Sequence, residues 1–247
     1  MMNVEQQKLT KVTRLLLIPN YLANDNPVNF IADFVRQQTH HIKHFIVENE
    51  KVARGLIKKL NLATSQQELN LVLWNEHSQP EDMKQIEEWF KLSVDIGIIT
   101  DAGLPCIADP GADIVALAHK RGVEVIPLPG ASSIFMALMA SGFNGQGFAF
   151  NGYLPIDKVL RTKRIKQLEA DASLRKQSQI FMETPYRNNQ LLADLLGICN
   201  KQTKLCIACN ITSAEGFVKS KTIEEWKKAL PDLHKKPTIF VIYFYSR

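Results

Sequence analysis

Five short apolar runs, each followed by a stretch that reads as helix, recur through the first 142 residues. The runs fall at residues 14–19, 44–48, 69–74, 94–100 and 123–126, and the helices at 28–39, 52–60, 80–92, 113–121 and from Ser132 or Ser133 to Ser141. A run such as Leu15-Leu16-Leu17-Ile18 has no polar alternation, so both faces of its strand must be covered. Strands alternating with helices at this spacing predict a mostly parallel α/β sheet. The pattern changes after Phe143-Asn144-Gly145-Gln146-Gly147, a polar, glycine-bearing stretch. Strands are predicted at 148–153, 179–182, 204–211, 216–219 and 238–245, with helices at 157–171, 188–198 and 223–230. Neighbouring strands without intervening helices predict a mixed sheet. The expected organisation is two α/β domains, 12–143 and 148–247.

A chain of 247 residues with 45% apolar and 22% charged residues has the composition of an ordinary globular protein. Its net charge of +5 favours an anionic partner without naming one. No run of about eighteen apolar residues occurs, so no membrane span is expected. The N-terminus has no basic region followed by an apolar core, which predicts no signal peptide and a cytoplasmic location. The first dozen residues are polar and expected to fray. Cys206 and Cys209 have a CxxC spacing, but on a strand an offset of three puts them on opposite faces. No second pair completes a tetrahedral site, so free thiols are expected and no metal. His40, His41 and His44 likewise have no carboxylate or cysteine pair at ligating spacing.

The segment with most chemistry is Thr100-Asp101-Ala102-Gly103-Leu104-Pro105-Cys106-Ile107-Ala108-Asp109-Pro110-Gly111. It follows a predicted strand and places a carboxylate and backbone amides at the carboxyl edge of the sheet, where open α/β sheets bind ligands. Gly103 permits close backbone approach and Pro105 fixes the turn. Asp109 is the expected N-cap of the next helix, with Pro110 at its first position. The next strand ends in Pro127-Leu128-Pro129-Gly130-Ala131, and Ser132 or Ser133 can cap the helix after it. No Gly-x-Gly-x-x-Gly follows the first strand, which argues against dinucleotide-binding oxidoreductases and Rossmann-type methyltransferases.

The 100–111 segment and Pro127-Leu128-Pro129-Gly130-Ala131-Ser132-Ser133 resemble the tetrapyrrole methylase superfamily. The branch with the nearest likeness is the bacterial 16S ribosomal RNA (cytidine) ribose 2′-O-methyltransferase family. Its Ser-Asp-Ala-Gly-Thr-Pro…Ser-Asp-Pro-Gly loop is matched by Thr100-Asp101-Ala102-Gly103-Leu104-Pro105 and Ala108-Asp109-Pro110-Gly111. The likeness continues through Phe150-Asn151-Gly152-Tyr153-Leu154-Pro155 and Phe181-Met182-Glu183-Thr184-Pro185-Tyr186-Arg187. The family's first loop, Pro-x-Gly-Asn-Leu, is here Pro19-Asn20-Tyr21-Leu22-Ala23-Asn24-Asp25, without glycine. Its Glu-Asp-Thr-Arg segment is here Glu48-Asn49-Glu50-Lys51. Its Lys-Gly-Glu segment near the C-terminus is replaced by Lys235-Lys236-Pro237-Thr238.

The resemblance implies two α/β domains with a cofactor cleft between them, S-adenosylmethionine as methyl donor, and a homodimer. It implies donor contacts from Asp101, Ala102, Gly103, Pro105, Ile107, Ala108, Ser132, Ser133, Met182, Pro237 and Thr238. The acceptor it implies is a ribose hydroxyl of ribosomal RNA or the small ribosomal subunit. Glu183 and Asp101 are the visible candidates for a general base, although Glu183 can equally anchor Arg187 one helical turn on. Lys158, Arg161, Lys163, Arg164, Lys166, Arg175 and Lys176 form a basic run suited to RNA phosphates or to a solvated helix face. Two other readings stay open: a tetrapyrrole or other small-molecule acceptor, and a non-catalytic homologue that binds cofactor or RNA.

Overall fold

The computed structural model describes residues 12–23 and 31–244. The expectations for residues 1–11, for the end of the first loop and the start of the first helix (24–30), and for Tyr245 lie outside the described residues. Of the described residues, 12–21 and 31–131 form one compact unit, and 22–23 and 132–244 form the other.

The first unit runs β1 (Arg14–Ile18), α1 (Asp33–Thr39), β2 (His44–Val47), α2 (Glu50–Leu60), β3 (Asn70–Leu73), α3 (Pro80–Trp89), β4 (Asp95–Ile99), α4 (Ala112–Lys120) and β5 (Glu124–Pro127). A 3₁₀ turn at Gln66–Glu68, unsignalled by periodicity, precedes β3. The strands pair in the order β3-β2-β4-β1-β5, and every pairing is parallel. Side-chain alternation explains the unbroken apolar runs. Leu16 and Ile18 pack on one face with Val35, Leu56 and Leu60 from α1 and α2. Leu15 packs on the other with Ile86, Trp89, Ile114 and Ala118 from α3 and α4. Burying each such side chain contributes roughly 1.5–3 kcal/mol.

Local signals set the helix ends. The Asn49 side chain caps α2 by accepting from Val52 N–H at 3.2 Å. A reciprocal capping box between Gln79 and Asp82 opens α3. Gly122 and Gly142 follow α4 and the next helix at φ +70° and +72°, the left-handed conformation that closes a helix. One expectation fails: α4 begins at Ala112 with Gly111 as its N-cap. Asp109 instead folds the loop, accepting from Cys106 N–H at 2.8 Å and Gly111 N–H at 2.7 Å. Two short-range bonds inside the turn outcompete the helix end for the same carboxylate.

The second unit holds α5 (Ser133–Ser141), β6 (Phe148–Tyr153), α6 (Lys158–Leu174), β7 (Ser178–Met182), α7 (Asn188–Ile198), β8 (Lys204–Cys209), β9 (Phe217–Thr222), α8 (Ile223–Trp226) and β10 (Thr238–Tyr243). Its sheet has the order β6-β7-β10-β8-β9. The β6–β7 pair is parallel and the others antiparallel, so the sheet is mixed. Helix α5 packs Ile134, Ala137 and Leu138 onto this sheet, and the 143–147 stretch is the connection from α5 to β6 inside the same unit. On β10, Ile239 and Val241 face α5 while Phe240 and Ile242 face α6 and α7. Cys206 lies on the α5 face and Cys209 on the other; both are free thiols.

The structure overturns one part of the basic run. Arg161 is buried, with its Nε donating to Asp194 at 2.7 Å and its Nη1 to the carbonyls of Pro155 and Ile156 at 3.2 and 2.6 Å. It is an internal strut between α6, α7 and the turn before α6, not an RNA contact. Arg164 is half-buried and donates to Asn151 Oδ1 at 2.7 Å. Lys158, Lys163, Lys166, Arg175 and Lys176 remain exposed. Among the described residues, no helix is long and apolar enough to cross a membrane.

Arg161→Ala leaves the nearly buried Asp194 carboxylate without its cation and should destabilise the protein by about 3 kcal/mol in urea unfolding. Lys163→Ala should change stability by less than about 0.5 kcal/mol.

Candidate functional site

A parallel sheet brings all its strand ends with the same polarity to one edge, so the residues following β1, β2, β4 and β5 meet there. Asn20, just after β1, is 1% exposed. Its side-chain amide donates to the Thr100 carbonyl at 2.9 Å and the Asp101 carbonyl at 3.1 Å. Its backbone N–H donates to Gly103 O at 2.8 Å. Glu48, just after β2, holds the loop from the other side. Its Oε2 accepts from Thr100 Oγ1 at 2.9 Å and from Asp101 N–H at 3.0 Å. After β5, a Cβ built on Gly130 would lie 2.1 Å from Pro19 Cβ, so only glycine lets these two strand ends approach so closely.

Thus clamped, the 100–111 loop holds Gly103, Cys106 and Ala108 at φ +77°, +66° and +62°. The two non-glycine residues in the left-handed region each cost roughly 1–2 kcal/mol, as is common at ligand-binding turns. Trp74 Nε1 donates to Pro110 O at 3.0 Å and closes the loop's far end. The space behind the loop, lined by Glu48, Thr100, Pro105 and Gly111, is only about 10 Å³, at most one water. Gly103 and Pro105 are buried, whereas Asp101, Ala102, Ile107 and Ala108 are exposed. The surface the loop offers is therefore its outer one.

Partial burial of its surroundings, and after that the negative Glu48, push the Asp101 carboxyl above its ordinary pKa, although the residue keeps a large exposed surface. Among the described residues no side-chain hydrogen bond engages that carboxylate, so it is open to a cationic ligand.

The other predicted residues lie in the second unit. The Ser132 Oγ caps α5, accepting from Phe135 N–H at 3.4 Å, and Ser133 is the first helical residue. Met182 ends β7, half-buried against the α5 face of the sheet. It sits opposite Ile239 of β10, next to Thr238, whose Oγ1 donates to Lys236 O at 2.9 Å. Pro237 is exposed. Register thus brings Met182 and Thr238 together at one sheet edge. Glu183 is 5% exposed and accepts from Arg187 at 2.6 Å and from Thr184 N–H at 2.7 Å. Its carboxylate anchors the turn after β7.

Two residues of the loop clamp, Asn20 and Glu48, were not among the sequence candidates. Each follows directly on a strand that neighbours β4 or β1, a signal readable only once strand order is known. His40 and His44 have separate surroundings. His40 Nδ1 lies 3.1 Å from Asn61 O, His44 packs edge-on against Trp89 with ring centroids 4.9 Å apart, and no metal-ligating group of three exists among the described residues.

The fold matches known methyltransferases over nearly the whole chain. A cobalamin-biosynthetic cobalt precorrin-4 methyltransferase, CbiF, matches with TM-score 0.56 and 11% identity over 94% of both chains. The methyltransferase CobJ matches with TM-score 0.60 and 14% identity, covering 94% of this chain and 93% of that one. The fold class is thus that of the tetrapyrrole methylases. No protein-family model matches the chain. Ribosomal RNA small subunit methyltransferase I of Halalkalibacterium halodurans is 31% identical over 221 residues, 89% of this chain and 71% of that protein. The same-named proteins of Bacillus subtilis and Haemophilus influenzae are 39% and 29% identical over 53% and 68% of this chain, and 44% and 59% of their own length. The chain belongs to the ribosomal RNA small subunit methyltransferase I family.

Glu48→Gln removes the neighbouring negative charge and should lower the Asp101 pKa. A raised folded-state value means that this group's contribution to stability falls as pH rises from the unfolded to the folded pKa; the substitution narrows that window. Carboxyl chemical shifts followed through a pH titration check it, and an Asp101 midpoint that does not move contradicts the coupling.

Proposed function

We propose that this protein transfers a methyl group from S-adenosylmethionine to a ribose 2′-hydroxyl of small-subunit ribosomal RNA. Family membership supports the reaction class, and the clamped loop with its open Asp101 carboxylate is the observation that carries the site. When bound, the donor supplies an electrophilic methyl group on a positively charged sulfur. A cationic, amino-acid-bearing group fits what the loop offers: an exposed carboxylate at Asp101 and exposed surface at Ala102, Ile107 and Ala108, on a turn shaped by the buried Gly103 and Pro105. Asp101 faces positive charge, Ala102 presents backbone, and Gly103 beneath it gives the turn its positive φ. In the second unit, the reading assigns Ser132 and Ser133 to polar contacts and Met182, Pro237 and Thr238 to the adenine.

Displacement at a methyl carbon requires collinear, close reactants, and positioning supplies on the order of 7–11 kcal/mol in favourable cases. That suits a site built from backbone shape and few polar anchors. Of the two carboxylates considered as base, Glu183 is engaged by Arg187 and Thr184 and Asp101 faces the donor's positive charge, so the reading rests on positioning and assigns no base. The exposed Lys158, Lys163, Lys166, Arg175 and Lys176 give the RNA a phosphate-binding surface. The reading also takes a cytoplasmic homodimer acting on the small ribosomal subunit or its RNA. The small-molecule alternative has only fold-level likeness behind it. The glycine-free first loop would favour the non-catalytic alternative, but Asn20 in that loop holds the Thr100 and Asp101 carbonyls in place.

Asp101→Ala should weaken S-adenosylmethionine binding at least about tenfold in calorimetry with an unchanged urea midpoint, and Gly103→Val, strained at a positive φ, should abolish it. Methyl transfer to 30S subunits should fall in parallel. Wild-type donor affinity in both variants contradicts the assignment.

A further inference from the structure

We propose that Tyr186, flanked by Lys235 and His234, is a stacking platform for an unpaired base of an RNA. The inference rests on the methyl-transfer reading only for which RNA is bound. Tyr186 is 69% exposed. Lys235 Nζ lies 5.8 Å from its ring centroid, and the His234 ring meets it edge-on with centroids 6.1 Å apart.

The backbone beneath is fixed at both ends of the platform. Arg187 N–H donates to Thr184 O at 2.9 Å and closes the turn that carries Tyr186. Lys235 N–H donates to Pro185 O at 3.0 Å and joins the two loops. The buried Asn188 donates to Lys236 O at 2.7 Å. Lys235 is held at φ +60°, a conformation a non-glycine residue keeps only when its surroundings impose it. The backbone that carries ring and ammonium is thus pre-organised, which lowers the ordering cost of binding.

The local charge balance is cationic. Glu183 is buried and paired with Arg187, and Lys235 and Lys236 together outweigh the single exposed carboxylate of Asp232. Lys235 and His234 stay exposed. An exposed aromatic ring with an ammonium over it suits a nucleotide: the base stacks on the open face and the phosphate pairs with the cation. A base inside a duplex is already stacked, so the platform selects single-stranded RNA.

Fluorescence anisotropy of the full chain with a short labelled single-stranded RNA, and with its duplex form, tests this. Tyr186→Ala should weaken single-strand binding about tenfold, whereas Tyr186→Phe stays within about twofold of wild type. Duplex binding should change far less. Lys235→Ala should lower the salt slope by about 0.7. Unchanged single-strand affinity in Tyr186→Ala overturns the proposal, as does an equal loss in Ala and Phe variants, or no single-strand binding by wild type. Methyl transfer by the wild-type protein to 30S subunits is scored separately, so failure of the reaction is distinguishable from failure of the platform.

Discussion

The side chain of one buried asparagine sets the geometry on which the site depends. Asn20 leaves β1 and ties down the carbonyls of Thr100 and Asp101 where β4 ends, while Glu48 from β2 holds the same two residues from the other side. These ties hold the start of the loop, and the bonds of Asp109 and Trp74 hold its end, so that Cys106 and Ala108 between them keep their left-handed conformations. The parallel sheet supplies the neighbours; the two polar side chains convert a Gly/Pro turn into a fixed surface with Asp101, Ala102, Ile107 and Ala108 exposed.

The second unit applies the same economy differently. Its mixed sheet is covered on one face by α5 and on the other by α6, α7 and α8. Ends of β7 and β10 meet in register, so the turn after Met182 and the loop before Thr238 are joined by backbone and side-chain bonds. Two ion pairs serve as struts: Arg161 with Asp194, where a linear reading sees surface, and Glu183 with Arg187, the anchor that their spacing allows.

Much of the fold was legible because apolar patterning reports burial directly. The β6 and α7 boundaries were read as observed, and most others within a few residues, since Leu15 to Ile18 or Ile239 to Ile242 cannot be solvated. Caps at Gly122, Gly142 and Ser132 followed from their local chemistry. What escaped was whatever depends on which strands are neighbours. Asn20 read as part of a polar turn and Glu48 as part of a divergent motif, because their partners lie about eighty and fifty residues away. Arg161 read as surface for the complementary reason: a charge run gives no sign of which member turns inward to meet Asp194. Asp109 read as a helix cap because sequence does not show that Cys106 N–H competes for it.

Binding of the methyl donor on the outer surface of the clamped loop is the central claim. A crystal structure of the protein soaked with S-adenosylmethionine tests it most directly. The donor's density is expected against Ala102, Ile107 and Ala108, with its positive charge facing the Asp101 carboxylate and Asn20 and Glu48 holding the loop as described. Density for the donor elsewhere, with the loop bare, contradicts it.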